Sequence, residues 1–142
     1  MTDVLAIALA IVFAALAIVH IYWSLGGVAG KSGAIPQVGG EPAFKPSRLG
    51  TFGVAVFLSI CAAVVLSVDN LLALPVSRAI QTAFTYILTL LLFARAIGDF
   101  RLVGFFKRVR DSRFADLDTW MYSPLCLALS AGVFIVTYTR SA

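Results

Sequence analysis

Charge is scarce in this chain. Only 13% of its 142 residues are Asp, Glu, Lys or Arg, and 61% are hydrophobic. Soluble domains carry about 25% charged and about 45–50% apolar residues. A soluble chain of this length could not bury so much apolar surface, whereas a bilayer can, so composition excludes the soluble classes. Histidine occurs once, as His20, and cysteine twice, as Cys61 and Cys126. There is no CxxC and no Cys/His spacing of a metal site, and a lone histidine cannot hold zinc without thiolate or carboxylate help. No metal is therefore expected, and the two thiols read as small buried hydrophobes. A G-x-x-x-x-G-K-[ST] phosphate loop is absent, as is any nucleophile motif. The net charge of +4 comes from basic residues beside apolar runs, with no basic–aromatic array. Anionic lipid, not nucleic acid, is the partner this implies.

What the sequence does have is four long apolar runs. The first, residues 4–25, would rise about 33 Å as a helix, enough for one crossing. Its start, MTDVLAI, lacks a basic n-region, and the run is longer than a signal-peptide core, so a retained span is expected. Residues 26–48 are rich in glycine and hold Pro36, Pro42 and Pro46, which marks an irregular loop outside the lipid. The second run, 49–68, carries small residues Gly53, Ala55, Ser59 and Ala63 suited to close helix packing. A short connector, 69–78, makes the third run, 79–100, its antiparallel neighbour. Gln81, Thr85 and Thr89 form an i,i+4 ridge there that could bond a neighbouring helix.

Residues 101–118 hold five basic and three acidic side chains. Leu102, Phe105, Phe106 and Val109 share one side of a helical wheel, which predicts a short amphipathic helix on the membrane surface. Lys107, Arg108, Arg110 and Arg113 would then lie among lipid phosphates. The fourth run, 119–138, opens with Trp120 and Tyr122 in belt positions and has Pro124 in its first turn. No internal repeat occurs. The expectation is an all-α, integral membrane four-helix bundle, a single transmembrane domain over 1–142, with a short cytoplasmic amphipathic segment between the third and fourth spans.

Four spans put both termini on one side. The two long loops hold eight basic residues and the terminal side holds only Arg78 and Arg140. The positive-inside rule then makes the loops cytoplasmic and both termini non-cytoplasmic. In that topology three spans deliver polar side chains to the cytoplasmic leaflet: His20 and Trp23 from the first, Arg95 and Asp99 from the third, and Tyr122 and Ser123 from the fourth, with Arg101 just beyond. Ionisable residues at such depth are costly and usually functional. Asp99 follows Arg95 in the less favourable order and opposes the helix dipole, so a tertiary partner is expected, His20 or a basic residue of the next segment.

Three functions compete on this basis. The favoured one is non-enzymatic: binding of a lipid, quinone or other amphiphile whose anionic head meets Arg95, Arg101 or Arg108, or service as an accessory subunit. The second is a membrane-embedded enzyme with His20 as general acid or base and Asp99 or Tyr122 as its partner. The third is a small transporter or channel built by a homo-oligomer. The residues name no cofactor.

One resemblance adds to this. The stretch RAIGDFRLVGFFKRVRDSRFADLDTWMYSPLCL, with HIYWSLGG at His20 to Gly27 and FKPSR at Phe44 to Arg48, resembles the DUF3995 family of small bacterial four-span membrane proteins. The resemblance implies a bacterial inner-membrane protein and carries no activity. It covers the same positions: His20, Trp23, Arg95, Asp99, Arg101, the basic segment, Tyr122, Ser123 and Pro124.

Overall fold

The computed structural model of the chain describes residues 1–141. In chain order the elements are α1 (Thr2–Ser24), a short α2 (Lys31–Ala34), a minimal hairpin of β1 (Gln37–Val38) and β2 (Glu41–Pro42), α3 (Arg48–Val68), α4 (Arg78–Ile97), a short α5 (Arg113–Leu117), a π turn (Asp118–Tyr122) and α6 (Ser123–Ser141). α5, the π turn and α6 run on as one rod. It and α1, α3 and α4 are each long and apolar enough to cross a membrane. Serine side chains start three helices: the hydroxyls of Ser47, Ser77 and Ser112 accept backbone N–H bonds at the heads of α3, α4 and α5. Each satisfies a donor that the first turn cannot.

α1 packs chiefly on α3 and α4 chiefly on α6, and smaller α1–α6 and α3–α4 contacts close the bundle. Its core is Leu9 and Phe13 from α1, Cys61, Val64, Val65 and Val68 from α3, Leu88 from α4, and Leu129, Val133 and Val136 from α6. Large apolar residues such as Ile11, Ile18, Phe57, Leu90 and Phe134 face outward. That is the pattern of a bundle solvated by lipid chains, where close packing and hydrogen bonds hold the helices together. Gln81 and Thr85 point into the bundle: Gln81 Oε1 accepts from Ser67 of α3 at 2.8 Å, while the Thr85 and Thr89 hydroxyls bond carbonyls of their own helix. The Thr89 carbonyl in turn accepts from Ser130 of α6.

The third helix stops at Ile97, three residues short of the expected end. Gly98 and Gly104 lie back to back at φ 95° and 87°. A Cβ on Gly98 would sit 1.8 Å from the Val103 carbonyl oxygen, and one on Gly104 would sit 2.2 Å from that of Ile97. The returning chain donates N–H bonds from Phe105 and Phe106 to the Ala96 and Ile97 carbonyls, occupying the open end of α4. This close return replaces the amphipathic helix expected around Leu102 to Val109. Between the third and fourth spans only α5 is helical, and the fourth rod starts at Arg113, earlier than the sequence suggested, because Ser112 caps it.

The end of the bundle that carries the termini is fastened by charge. Arg140 of α6 donates through Nε to Asp69 Oδ1 and through Nη2 to Asp3 Oδ1, both at 2.6 Å. Arg78 of α4 reaches the Ser67 and Arg140 carbonyls. All four long helices meet in this clamp. Burial pushes the Asp69 carboxyl up, but the hydrogen bond and charge of Arg140 outweigh it and hold the group below its ordinary 3.8.

Two predictions follow from these contacts. Gly98→Ala and Gly104→Ala should each lower the thermal midpoint in detergent by the equivalent of at least about 1–2 kcal/mol, the cost of a left-handed residue with a Cβ. Gly53→Ala, inside α3 and with nothing within 4 Å of the added Cβ, should not lower it, since alanine is the better helix former. Because Asp69 titrates lower in the folded than in the unfolded chain, its stabilisation is complete above the unfolded value and lost as pH falls toward the folded one. The midpoint should therefore be level near neutrality and decline under acid. In Arg140→Gln the buried carboxylate loses its cation, and the slope should reverse, with stability rising on acidification.

Candidate functional site

The loop-rich end of the bundle holds two separate polar clusters. The first centres on Asp118, which opens the π turn and is fully buried. Its Oδ1 accepts from Arg95 Nη2 at 2.8 Å, and its Oδ2 accepts from Lys107 Nζ at 3.1 Å and the Gly104 N–H at 2.7 Å. Lys107 also donates to the Gly104 carbonyl and to Thr119 Oγ1, at 3.1 and 2.6 Å. Three protons meet three acceptors, so the ammonium has nothing left to offer a ligand. Lys107 is thus no membrane-surface residue: its side chain is 1% exposed. The Gly98–Gly104 return folds residues 101–112 back against the rod and carries Lys107 inward. Arg108, Arg110 and Arg113 are exposed.

The local register of the rod explains why Asp118 faces inward. Pro124 lacks an N–H, and its ring crowds the carbonyl four residues earlier. The π turn just before it widens the helix, with the Ser123 N–H bonding the Asp118 carbonyl. Such insertions re-aim side chains. Trp120 is left outside, 84% exposed, and Ser123 is fully buried. Within this cluster Ser123 Oγ and Arg95 Nη1 are buried without a partner among the described residues.

Among the described residues Asp99 takes no tertiary partner. Its Oδ1 accepts the N–H groups of Arg101, Leu102 and Val103 at 2.9, 2.7 and 3.0 Å. Burial pushes its carboxyl up, and these three bonds outweigh burial and hold it below the ordinary 3.8. It is a local clasp for the loop, which resolves the unfavourable placement noted in the sequence. Arg101 is exposed, and its carbonyl accepts from Arg108 and Val109.

The second cluster lies between α1, α3 and the first loop. A cavity of about 190 Å³ is lined by His20, Trp23, Lys31, Phe44, Thr51 and Val54, among others. His20 Nδ1 lies 2.7 Å from the Leu16 carbonyl oxygen. A carbonyl only accepts, so Nδ1 carries the proton, and in the neutral ring Nε2 is a bare acceptor. The ring stands edge-on to Trp23, with centroids 5.1 Å apart. Trp23 Nε1 is bound to the Ala29 carbonyl at 2.8 Å, which folds the loop over the end of α1.

Among the described residues His20 and Arg95 share no hydrogen bond, ion pair or cavity. The link between the clusters is Tyr122, whose hydroxyl donates to the Gly33 carbonyl at 3.0 Å and whose ring packs near Phe114. Asp118, Lys31 and Thr51 were not singled out by sequence. For Asp118 a signal existed, an acidic residue just ahead of an apolar span with a proline, but its partners come from 11 and 23 residues away.

Removing the Asp118 charge should be severe. Asp118→Asn leaves Lys107 buried without a counter-charge and should cost about 3–5 kcal/mol, as for other broken buried pairs. Lys107→Met combined with it should recover part of that loss. Chemical denaturation of the two single variants and the double variant checks this, and simple additivity would contradict it.

No curated protein and no solved structure matches the chain. A family model described as a protein of unknown function does match, over residues 6–133, most of the chain. With four membrane-length apolar helices and that match, the chain is an integral membrane protein belonging to the DUF3995 family.

Proposed function

We propose that the protein is a non-enzymatic binder of an amphiphile, held in the cavity between α1, α3 and the first loop. The observation that carries this reading is the cavity's make-up. Aromatic and aliphatic walls from Trp23, Phe44 and Val54 meet His20 and Lys31 at the loop-rich end of two membrane helices. A site with apolar walls and a few placed polar groups is what small-ligand binding requires. At about 190 Å³ it is below the roughly 300–1,000 Å³ of a drug-sized site, so it suits a head group or a short length of chain, with the rest of the molecule lying in the bilayer.

The arginines first considered for the head group fit this role less well. Arg95 is engaged by Asp118, and Arg101 and Arg108 belong to the other loop. The acid–base alternative also loses its partners, since Asp99 is bound by three backbone N–H groups and the Tyr122 hydroxyl by Gly33. On this reading the loop-rich end faces the cytoplasm, as the distribution of basic residues favours.

Purification in mild detergent followed by native mass spectrometry tests the proposal. Wild type should retain amphiphile adducts, and Trp23→Ala and His20→Ala should lose about tenfold in retention, the equivalent of roughly 1.4 kcal/mol. Arg101→Ala and Arg108→Ala should retain them as wild type does. Equal adducts in all five proteins would remove the cavity from consideration.

A further inference from the structure

The hydrogen-bonding inventory of the cavity restricts the chemistry of its occupant, given the amphiphile reading on which this rests. Each polar side chain in the wall is either spent or of one type. Trp23 Nε1, a donor only, is bound to the Ala29 carbonyl. The Thr51 hydroxyl gives its proton to the Ser47 carbonyl at 2.9 Å, leaving oxygen lone pairs. His20 gives its Nδ1 proton to Leu16, which leaves Nε2 to face an occupant, as an acceptor while the ring is neutral. The Lys31 ammonium makes no hydrogen bond and no ion pair among the described residues, so it brings three protons and an uncompensated positive charge. The wall thus offers two acceptors and one cation.

We infer that the occupant is an anion that also bears hydroxyl groups, a phosphate ester of a polyol such as a phosphoglycerol head group. The anionic oxygens meet Lys31, and the hydroxyls donate to His20 Nε2 and Thr51 Oγ1. A quinone fits poorly, because its carbonyls only accept, and two of the three positions here need donors. A bare carboxylate or a phosphodiester without hydroxyls would set its lone pairs against those of His20 and Thr51, and an unmet buried acceptor is costly. A choline head group brings a cation toward Lys31 and no hydroxyl.

The chain has two tryptophans, Trp23 and Trp120, so Trp120→Phe leaves a reporter in the cavity wall. Quenching of this full-length variant by lipids with brominated chains, doped into neutral detergent micelles, measures occupancy. Phosphatidylglycerol should quench at about tenfold lower mole fraction than phosphatidylmethanol, which has the same charge without the hydroxyls, or than phosphatidylcholine, a margin of roughly 1.4 kcal/mol. Thr51→Val should narrow the gap between phosphatidylglycerol and phosphatidylmethanol, and Lys31→Met the gap between phosphatidylglycerol and phosphatidylcholine. Equal quenching by the three lipids would overturn the inference while leaving an unselective amphiphile site. Val54→Phe fills the cavity, so quenching that is unchanged in this variant would instead overturn the amphiphile reading itself. Free glycerol 3-phosphate separates the two sources of the same chemistry. If it shields Trp23 from acrylamide, a neutral quencher in the aqueous phase, while no brominated lipid quenches it, the inferred head-group class stands and the lipid is removed.

Discussion

One buried carboxylate organises the loop-rich end of this protein. Asp118 is fully buried, and charge in such a setting persists only where partners surround it. Arg95, Lys107 and the Gly104 N–H supply them. Meeting that demand fixes much else. The chain after α4 must turn back sharply enough to bring Lys107 inside, which needs glycine at 98 and 104. The rod must widen at the π turn so that residue 118 faces inward and residue 120 outward. The loop must be rigid, which the Asp99 clasp provides. Arg95 and Lys107, which in sequence resemble free cations at a membrane surface, are the scaffolding of one charge.

The two ends of the bundle use their polar residues differently. At the end with the termini, Arg140, Asp3, Asp69 and Arg78 join all four helices over a dense apolar core. At the other end α1 and α3 are roofed by a glycine-rich loop, and a hollow remains beneath it. A membrane bundle gains little from the hydrophobic effect between helices and is held by packing and polar bonds. A hollow therefore sits most easily where neighbouring contacts are already strong, and here its wall includes Ala34, next to the Tyr122–Gly33 bond. That arrangement is compatible with a site that takes in and releases a ligand without loosening the bundle.

The architecture was plain in the sequence because run length and hydropathy decide it. Four apolar segments, three connectors and a glycine-rich break lead to the observed helices with small errors at their ends. The errors are local and physical. The third helix ends early because two left-handed glycines let the returning chain pack so closely that neither position has room for a Cβ, which a hydrophobic wheel cannot register. Lys107 was misplaced for the same reason, since the wheel assumed a helix where the backbone returns on itself. Asp99 was correctly seen as unexplained by helix energetics, but its answer was three adjacent amides and not a distant side chain. His20 and Trp23 were identified, and the cavity beside them was not, because its remaining wall comes from Lys31, Phe44 and Thr51, residues that only the folded loop brings near.

The clamp at the terminal end bears on the order in which the molecule is completed. The Asp118 network lies wholly within the second helical hairpin, so that unit neutralises its own interior charge without help from the first. The Arg140–Asp3 pair, by contrast, joins positions 137 residues apart and has no partial form. During synthesis the early helices must wait in the bilayer with Asp69 unmatched until the last one arrives. The ion pairs of Asp3 and Asp69 can therefore form only once the fourth helix is in place.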